Sequence, residues 1–327
     1  SIARSKFLIL CWHFDSPRNS NRDPVNPALD GPRRHIDCRV RAMDRSTYNF
    51  LPKEAVLATM HGKEQALGET FASIGVTLCV PKAFDSDRFG TFSGEIERQG
   101  SMQDAARAKL TAAMATTGMS VGLVSEGAYG AHPVIPFAAA GTELLIWRDD
   151  ENNYEVVEHW FDANPAYDHA QAKNLQEARQ FLDRISFPDT AVIVAPASNR
   201  EAPCGKGLRS MRDVEHAVKT AIDTCIHSMC FLQTDMRAHM NPRRMETIRQ
   251  LGKKMADRLV CRCHACGTPG WGLLRKDTGL PCKWCGGPSL LVSHEVHGCV
   301  ACDETIMKPR SDGQTQADPA HCPMCNP

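Results

Sequence analysis

The sequence predicts an α/β protein: a mixed, mostly parallel sheet with flanking helices, plus a small C-terminal double zinc-ribbon module. Three observations carry this expectation. From residue 55, short β-branched runs alternate with segments of helical period. Eight of the 15 cysteines form four CxxC pairs confined to the last 65 residues. A length of 327 residues suits two domains, since compact domains run to about 100–200 residues each. The division expected is a disordered or loosely packed leader over 1–50, a core over 53–240, a basic linker helix over 241–260 and the zinc module over 261–327.

The leader is rich in Arg, Asn, Asp and Pro and shows neither a helical nor a strand period. "AVLATM" reads as the first strand. "KEQALGETFASIG" then sets Ala66, Leu67, Phe71 and Ile74 on one helical face and stops at Gly75, before the strand "VTLCV". Ser101 with Asp104 makes a capping-box start for a helix that buries Met102, Ala105, Ala106, Leu110, Ala113 and Met114 and ends at Gly118. "SVGLVS" is a strand, and "TELLIWR" and "YEVVEHW" flank "DDENN" as a hairpin. A helix over about 168–185 leads into the apolar central strand "TAVIVAP". Ser210 and Asp213 open a helix with Met211, Val214, Val218, Ile222, Cys225 and Met229 in its stripe, and Asn241 with Pro242 opens the last helix.

Lys plus Arg equal Asp plus Glu at 38 each, so the whole chain creates no net field toward nucleic acid or an anionic membrane. The apolar run Phe7 to Trp12 is far shorter than the ~18 residues of a membrane span. It is read as neither signal nor anchor, and the cytoplasm is the expected compartment. Between 241 and 260, six basic residues face two acidic ones, which makes this helix the candidate nucleic-acid surface.

The cysteine pairs are Cys263/Cys266, Cys282/Cys285, Cys299/Cys302 and Cys322/Cys325. Two CxxC turns complete a four-sulfur shell that favours Zn²⁺, so eight ligands imply two structural zincs. Sequential pairing of the first two turns and of the last two fits zinc-ribbon spacing, with nested and interleaved pairing left open. Cys261, His264, His294, His297 and His321 are left without a coordinating role, because an all-cysteine shell is closed.

Phosphate chemistry needs a cation, carboxylates that hold it, donors for the oxygens and a positioned water. "DSDRFGTFSGEIERQG" supplies Asp85, Asp87, Glu95 and Glu97, and Asp104 follows; these are the candidate Mg²⁺ ligands. His61, Gly62 and Lys63 lie in the turn after the first strand, where amide groups and a lysine can receive an anion. "SEGAYGAHP" puts Glu126 at the end of the third strand, beside the crevice that borders strand ends in α/β sheets. "TDMRAHMNPRRM" gathers Asp235, Arg237, His239, Arg243 and Arg244, whose guanidinium forks suit phosphate. The catalytic candidates are Glu126, Lys63 and Glu97, with His61, Gly62, Lys63, Asp235, Arg237, Arg243 and Arg244 binding substrate.

"LATMHGKE", "GTFSGEIERQGS", "SEGAYGAHP" and "TDMRAHMNPRRM", followed by the four CxxC knuckles, resemble a bacterial family described as a domain of unknown function, over nearly everything after residue 53. The core is also similar, more distantly, to the inosine/xanthosine triphosphate pyrophosphatases, which use Mg²⁺ to hydrolyse non-standard nucleoside triphosphates. "TMHGK", "ERQGSMQDAARAKL", "SEG" and "NPRRMETI" occur in the order of that family's motifs. The resemblance implies that Lys63 holds the triphosphate, Glu97 and Asp104 lie at the metal, Glu126 orients the water and Arg243 approaches the nucleotide. The first motif is one residue short with His61 where Asn is expected, Ala105 replaces the helix asparagine, and no FGYDP-like segment occurs.

The function expected is that of a metal-dependent phosphohydrolase-like protein acting on a nucleotide or other phosphorylated small molecule. The competing expectation is a non-catalytic zinc-ribbon module that docks protein or nucleic acid.

Overall fold

The structure, a computed structural model, describes residues 48–82, 84–90, 98–132, 135 and 138–327. The leader expected over 1–50, including Phe7 to Trp12, lies outside the described residues except for its last three. Among those described, the chain divides into one compact unit of residues 48–271 with 300–302, and a second of 272–299 with 303–327. No helix among the described residues is long and apolar enough to cross a membrane.

The first unit holds two sheets. One runs in the order β2 (Thr77–Cys79), β1 (Glu54–Ala58), β3 (Val121–Ala131), β4 (Ala139–Asp149), β5 (Tyr154–Asp162). β2, β1 and β3 are parallel neighbours, whereas β3, β4 and β5 pair antiparallel. The expectation of a mostly parallel sheet is therefore corrected to a mixed one. The reason is connection length: β4 and β5 pair from Asp149 opposite Tyr154, and a parallel crossover needs about a dozen residues or more.

Helices cover both faces of this sheet. Side chains of a strand alternate faces, so Val56, Ala58, Val124, Leu144 and Ile146 pack with Ala106, Leu110 and Ala113 of α2 (Met102–Thr117). Ala55, Leu57, Leu123, Leu145 and Trp147 meet α1 (Glu64–Ser73) and α5 (Pro242–Leu259) on the other face. Gly122 admits α2, since a Cβ there would lie 2.7 Å from Leu110. Local signals set the boundaries: Ser101 and Asp104 form the full capping box, Gly118 ends α2 with φ +69°, and the Asn241 side chain accepts from Arg244 N.

The expectation of a basic linker helix is corrected by the packing of α5. Ile248, Leu251, Met255 and Leu259 are buried in the same core as α1, and a Cβ on Gly252 would meet Leu67 at 2.5 Å. This helix is part of the fold, joined to the core by an apolar stripe at helical spacing that its charge content obscured.

The second sheet has the order β6 (His169–Ala172), β9 (Cys230–Thr234), β7 (Val192–Pro196), β8 (Gly205–Leu208) and is antiparallel throughout. α3 (Leu175–Arg184) and α4 (Met211–Thr224) cover one face of it, burying Phe181, Leu182, Val214 and Val218 against Val192, Val194 and Leu232. The helix expected over 168–185 begins only at Leu175, because Asn174 caps it and 169–172 pair with β9. In the second unit, β10 (Gly272–Thr278), β11 (Val292–Gly298) and β12 (Thr305–Pro309) form an antiparallel sheet.

A candidate anion site and two four-cysteine clusters

β1 stops at Ala58, whereas its neighbour β3 continues to Ala131. "SEGAYGA", expected to hold the end of the strand, instead carries it on to Ala131 and pairs with β4, which corrects the strand-end place expected for Glu126. The end of β1 thus leaves a notch beside β3, and the turn after β1 fills it with polar groups. Gly62 takes φ +69° there, a conformation that suits glycine, and Lys63 directs its ammonium to the carbonyl of Ser125 at 2.8 Å. Lys63 is buried, and its pKa falls to about 7 because burial penalises the ammonium and because Arg244 and Lys109 stand near it.

Glu126 faces α2. Its two oxygens are held by different cations: Lys109 Nζ at 2.5 Å and Arg98 Nη2 at 2.9 Å, the latter also donating to Gly127 O at 2.7 Å. Burial alone would raise the carboxyl pKa, but Lys109, Lys63 and Arg98 outweigh it and hold it below the usual range. Glu126 is therefore ionised and doubly engaged, which differs from the water-orienting role its motif implies.

On the other face, Arg244 of α5 donates to Glu143 of β4 at 2.6 Å and to the Met236 carbonyl. Tyr129 OH donates to the same Glu143 oxygen at 2.5 Å, and burial and Glu143 both push its pKa up. Gly127 makes room for this group: a Cβ would stand 2.6 Å from Glu143 Oε1 and 2.8 Å from Arg244 Nη2. Glu143 Oε2 and Ser125 Oγ are buried with no hydrogen-bond partner among the described residues.

The remaining candidates sort around this network. His61 Nε2 and Asp87 Oδ1 are 2.8 Å apart, a bond that lowers the Asp87 pKa, and the His61 ring stacks on His239 at 5.3 Å. Asp235 is buried and grips Arg237 through both oxygens, the shorter contact being 2.5 Å. Arg243 is mostly exposed and lies 3.9 Å from Asp162.

Asp85 accepts from the Asp87 amide at 2.9 Å in an exposed turn, and Asp104 is occupied in the α2 capping box. Among the described residues, Asp85, Asp87 and Asp104 form no carboxylate cluster with metal-ligand spacing. Glu95 and Glu97 lie outside the described residues.

Lys63, Glu126 and Arg244 thus lie near one another, while Arg98, Lys109, Tyr129 and Glu143 were not singled out. Lys109 had a signal: it stands on the apolar stripe of α2, three and four residues after Ala106 and Ala105, where a lysine needs a buried partner. Glu143 lies inside the apolar run "TELLIW", another charged residue in core pattern. Arg98 carries no comparable local signal.

The eight CxxC cysteines form two groups, Cys263/Cys266/Cys299/Cys302 and Cys282/Cys285/Cys322/Cys325, in each of which the sulfurs lie within 4.8 Å of one another. The pairing is interleaved, first turn with third and second with fourth, which corrects the sequential choice. Turn spacing alone could not decide this, because each CxxC presents the same two-sulfur edge. In the first two turns a glycine after the second cysteine, Gly267 and Gly286, takes positive φ and returns its N–H to the first cysteine carbonyl at 2.9 Å.

Backbone N–H groups of Cys285 and Trp284 pull the Cys282 thiol down to about 7. His294 pairs with Asp277 and His297 with Glu295, and Cys261 points at the Asp257 carbonyl; none of these joins a four-cysteine group.

A family model for a domain of unknown function, DUF6671, matches residues 109–327, and the chain belongs to that family. No curated protein and no solved structure matches the chain. The likeness to inosine/xanthosine triphosphate pyrophosphatases accordingly has no finding behind it.

Proposed function

We propose that this member of the family binds the phosphoryl group of a phosphorylated small molecule at the β1 notch, and that its two four-cysteine groups hold structural zinc. One observation carries the first part: among the described residues, four cationic side chains, Lys63, Arg98, Lys109 and Arg244, gather there around two buried carboxylates, Glu126 and Glu143, with the half-buried Asp87 as the one further carboxylate acting on Lys109. Buried charge is stable only when compensated, and a dianionic phosphoryl group would supply the missing negative charge. Lys63, whose ammonium burial disfavours, regains it beside an anion.

Binding is better supported than hydrolysis. Glu126 has both oxygens committed to cations, and the acidic residues that would carry Mg²⁺ do not gather among those described. Nucleic-acid docking through helix 241–260 has no comparable support, because its basic side chains have acidic neighbours: Arg244 pairs with Glu143, Lys254 and Arg258 with Glu158, Lys253 with Asp257 and Arg249 with Glu246.

Zinc fits the donor set. In a tetrahedral shell with Zn–S near 2.3 Å, sulfurs are about 3.8 Å apart. Here Cys263 and Cys302 are 3.7 Å apart, Cys285 and Cys322 3.6 Å, and Cys282 and Cys325 3.9 Å. Bound zinc would supply structure, since neither shell keeps an open position.

Titration calorimetry of the full chain with inorganic phosphate, pyrophosphate and nucleoside triphosphates tests the anion reading, with phosphate release in the presence of Mg²⁺ measured alongside. Saturable binding that Lys109→Met weakens at least tenfold is the expected result. No binding of any of these anions at 1–5 mM, roughly the weak end of metabolite affinities, rejects it.

A further inference from the structure

We infer that the seat beside the notch takes a nucleobase, so that the phosphorylated ligand is a nucleoside phosphate. The inference rests on the anion reading above and deepens it. α3 and α4 cover one face of the second sheet; its register puts His169, Phe231 and Gln233 on the other face.

Aromatic rings run across that face from the notch. Tyr129, already bonded to Glu143, lies 6.5 Å from Tyr167 with planes 26° apart; Tyr167 lies 5.9 Å from His169, and His169 5.6 Å from Phe231. The guanidinium of Arg200 lies over Phe231 at 4.0 Å and is close enough to Tyr167 to act on its phenol.

Phe231 is buried at the far end of the row, whereas His169 is exposed and Tyr129 and Tyr167 are half-buried, so three of the four rings reach the surface. The surface rings Tyr129, Tyr167 and His169 can stack a planar base, because every base has a π-face. The Gln233 amide, opposite His169 in register, adds a donor and acceptor of the kind that reads base edges. Phosphate at the notch and base on the row share one residue, Tyr129, which joins the two halves of the site. A sugar phosphate would fill only the first half.

The experiment is calorimetric titration of the full chain with the four nucleoside 5′-monophosphates, ribose 5-phosphate and inorganic phosphate. At least one nucleotide is expected to bind about tenfold or more tightly than ribose 5-phosphate. Tyr167→Leu should bring that nucleotide to the affinity of ribose 5-phosphate while leaving ribose 5-phosphate itself unchanged; the far-ultraviolet spectrum checks the fold. Arg200→Gln should act in the same direction, with the far-ultraviolet spectrum again checking the fold, since Arg200 also lies over the buried Phe231. Equal affinity of all four nucleotides and ribose 5-phosphate overturns the base seat and leaves the anion site standing. Absence of binding by every ligand, inorganic phosphate included, overturns the anion reading and the seat with it.

Discussion

Arg244 Nε lies 2.6 Å from Glu143 Oε1, and both side chains are almost wholly excluded from water. The pair joins α5 to β4, elements about a hundred residues apart in the chain, within an otherwise apolar packing layer. Removing one member strands a buried charge. Arg244→Met is expected to destabilise the first unit by about 3–5 kcal/mol, as is typical of broken buried pairs. Replacing both, Arg244→Met with Glu143→Leu, should recover much of that loss. Urea unfolding of the three variants checks the pattern; a single variant within 1 kcal/mol of the parent, roughly the value of an exposed pair, would show that water reaches the site.

Gly127 has a packing role that its place in an acidic, glycine-rich segment disguises. A methyl group there would overlap Glu143 and Arg244, neither of which can retreat without breaking the pair or its bonds to Met236 and Tyr129. Gly127→Ala should lower stability by about 1–3 kcal/mol, the range for overpacking. It should also weaken phosphate binding. Gly68→Ala, at a helix position with open space around the added carbon, is the control and should be neutral or slightly stabilising by thermal melting.

Lys63 makes stability depend on pH in a definite direction. Its folded pKa, about 7, lies below the ordinary 10.5, so between these values the unfolded chain holds one more proton than the folded one. Stability contributed by this group therefore rises with pH across that window, and below pH 7 the burial penalty is felt in full. Lys63→Met should flatten the slope of unfolding free energy between pH 7 and 10. An anion beside Lys63 restores the ammonium, so phosphate binding at pH 8 should take up a proton. Calorimetry in buffers of different ionisation enthalpy reads that uptake directly, and a value of zero would place the anion elsewhere.

Local rules made the elements legible. Ser101 with Asp104, Asn241 with Pro242, and the "DDENN" hairpin all appear where residue chemistry requires them. Non-local pairing was not legible. That β3 lies between β1 and β4, and that Cys263 groups with Cys299 rather than Cys282, are facts of long-range pairing that leave no mark at one position in the chain. The site shows the same division. Lys63 follows from the end of β1, a local feature, whereas Glu126 stands mid-strand in β3, and Glu143 is a partner of Arg244 only after α5 has packed on β4. A charged residue inside an apolar period, as with Lys109 and Glu143, was the one readable sign that such a partner exists.

The interleaved cysteine pairing has a sharp consequence for metal content. Cys263→Ser with Cys299→Ser removes ligands from the first and third turns, which share one group, and leaves Cys282, Cys285, Cys322 and Cys325 complete. That double variant should retain one zinc of two. Cys263→Ser with Cys282→Ser removes one ligand from each group and should leave no complete shell. Sequential pairing predicts the reverse for the two variants, since the first would then cripple both shells and the second only one. Structural zinc is coupled to folding, so each lost shell should also lower the unfolding midpoint and sensitise the chain to chelator. Atomic absorption on the purified double variants decides the matter, because the alternatives differ by a whole ion per chain.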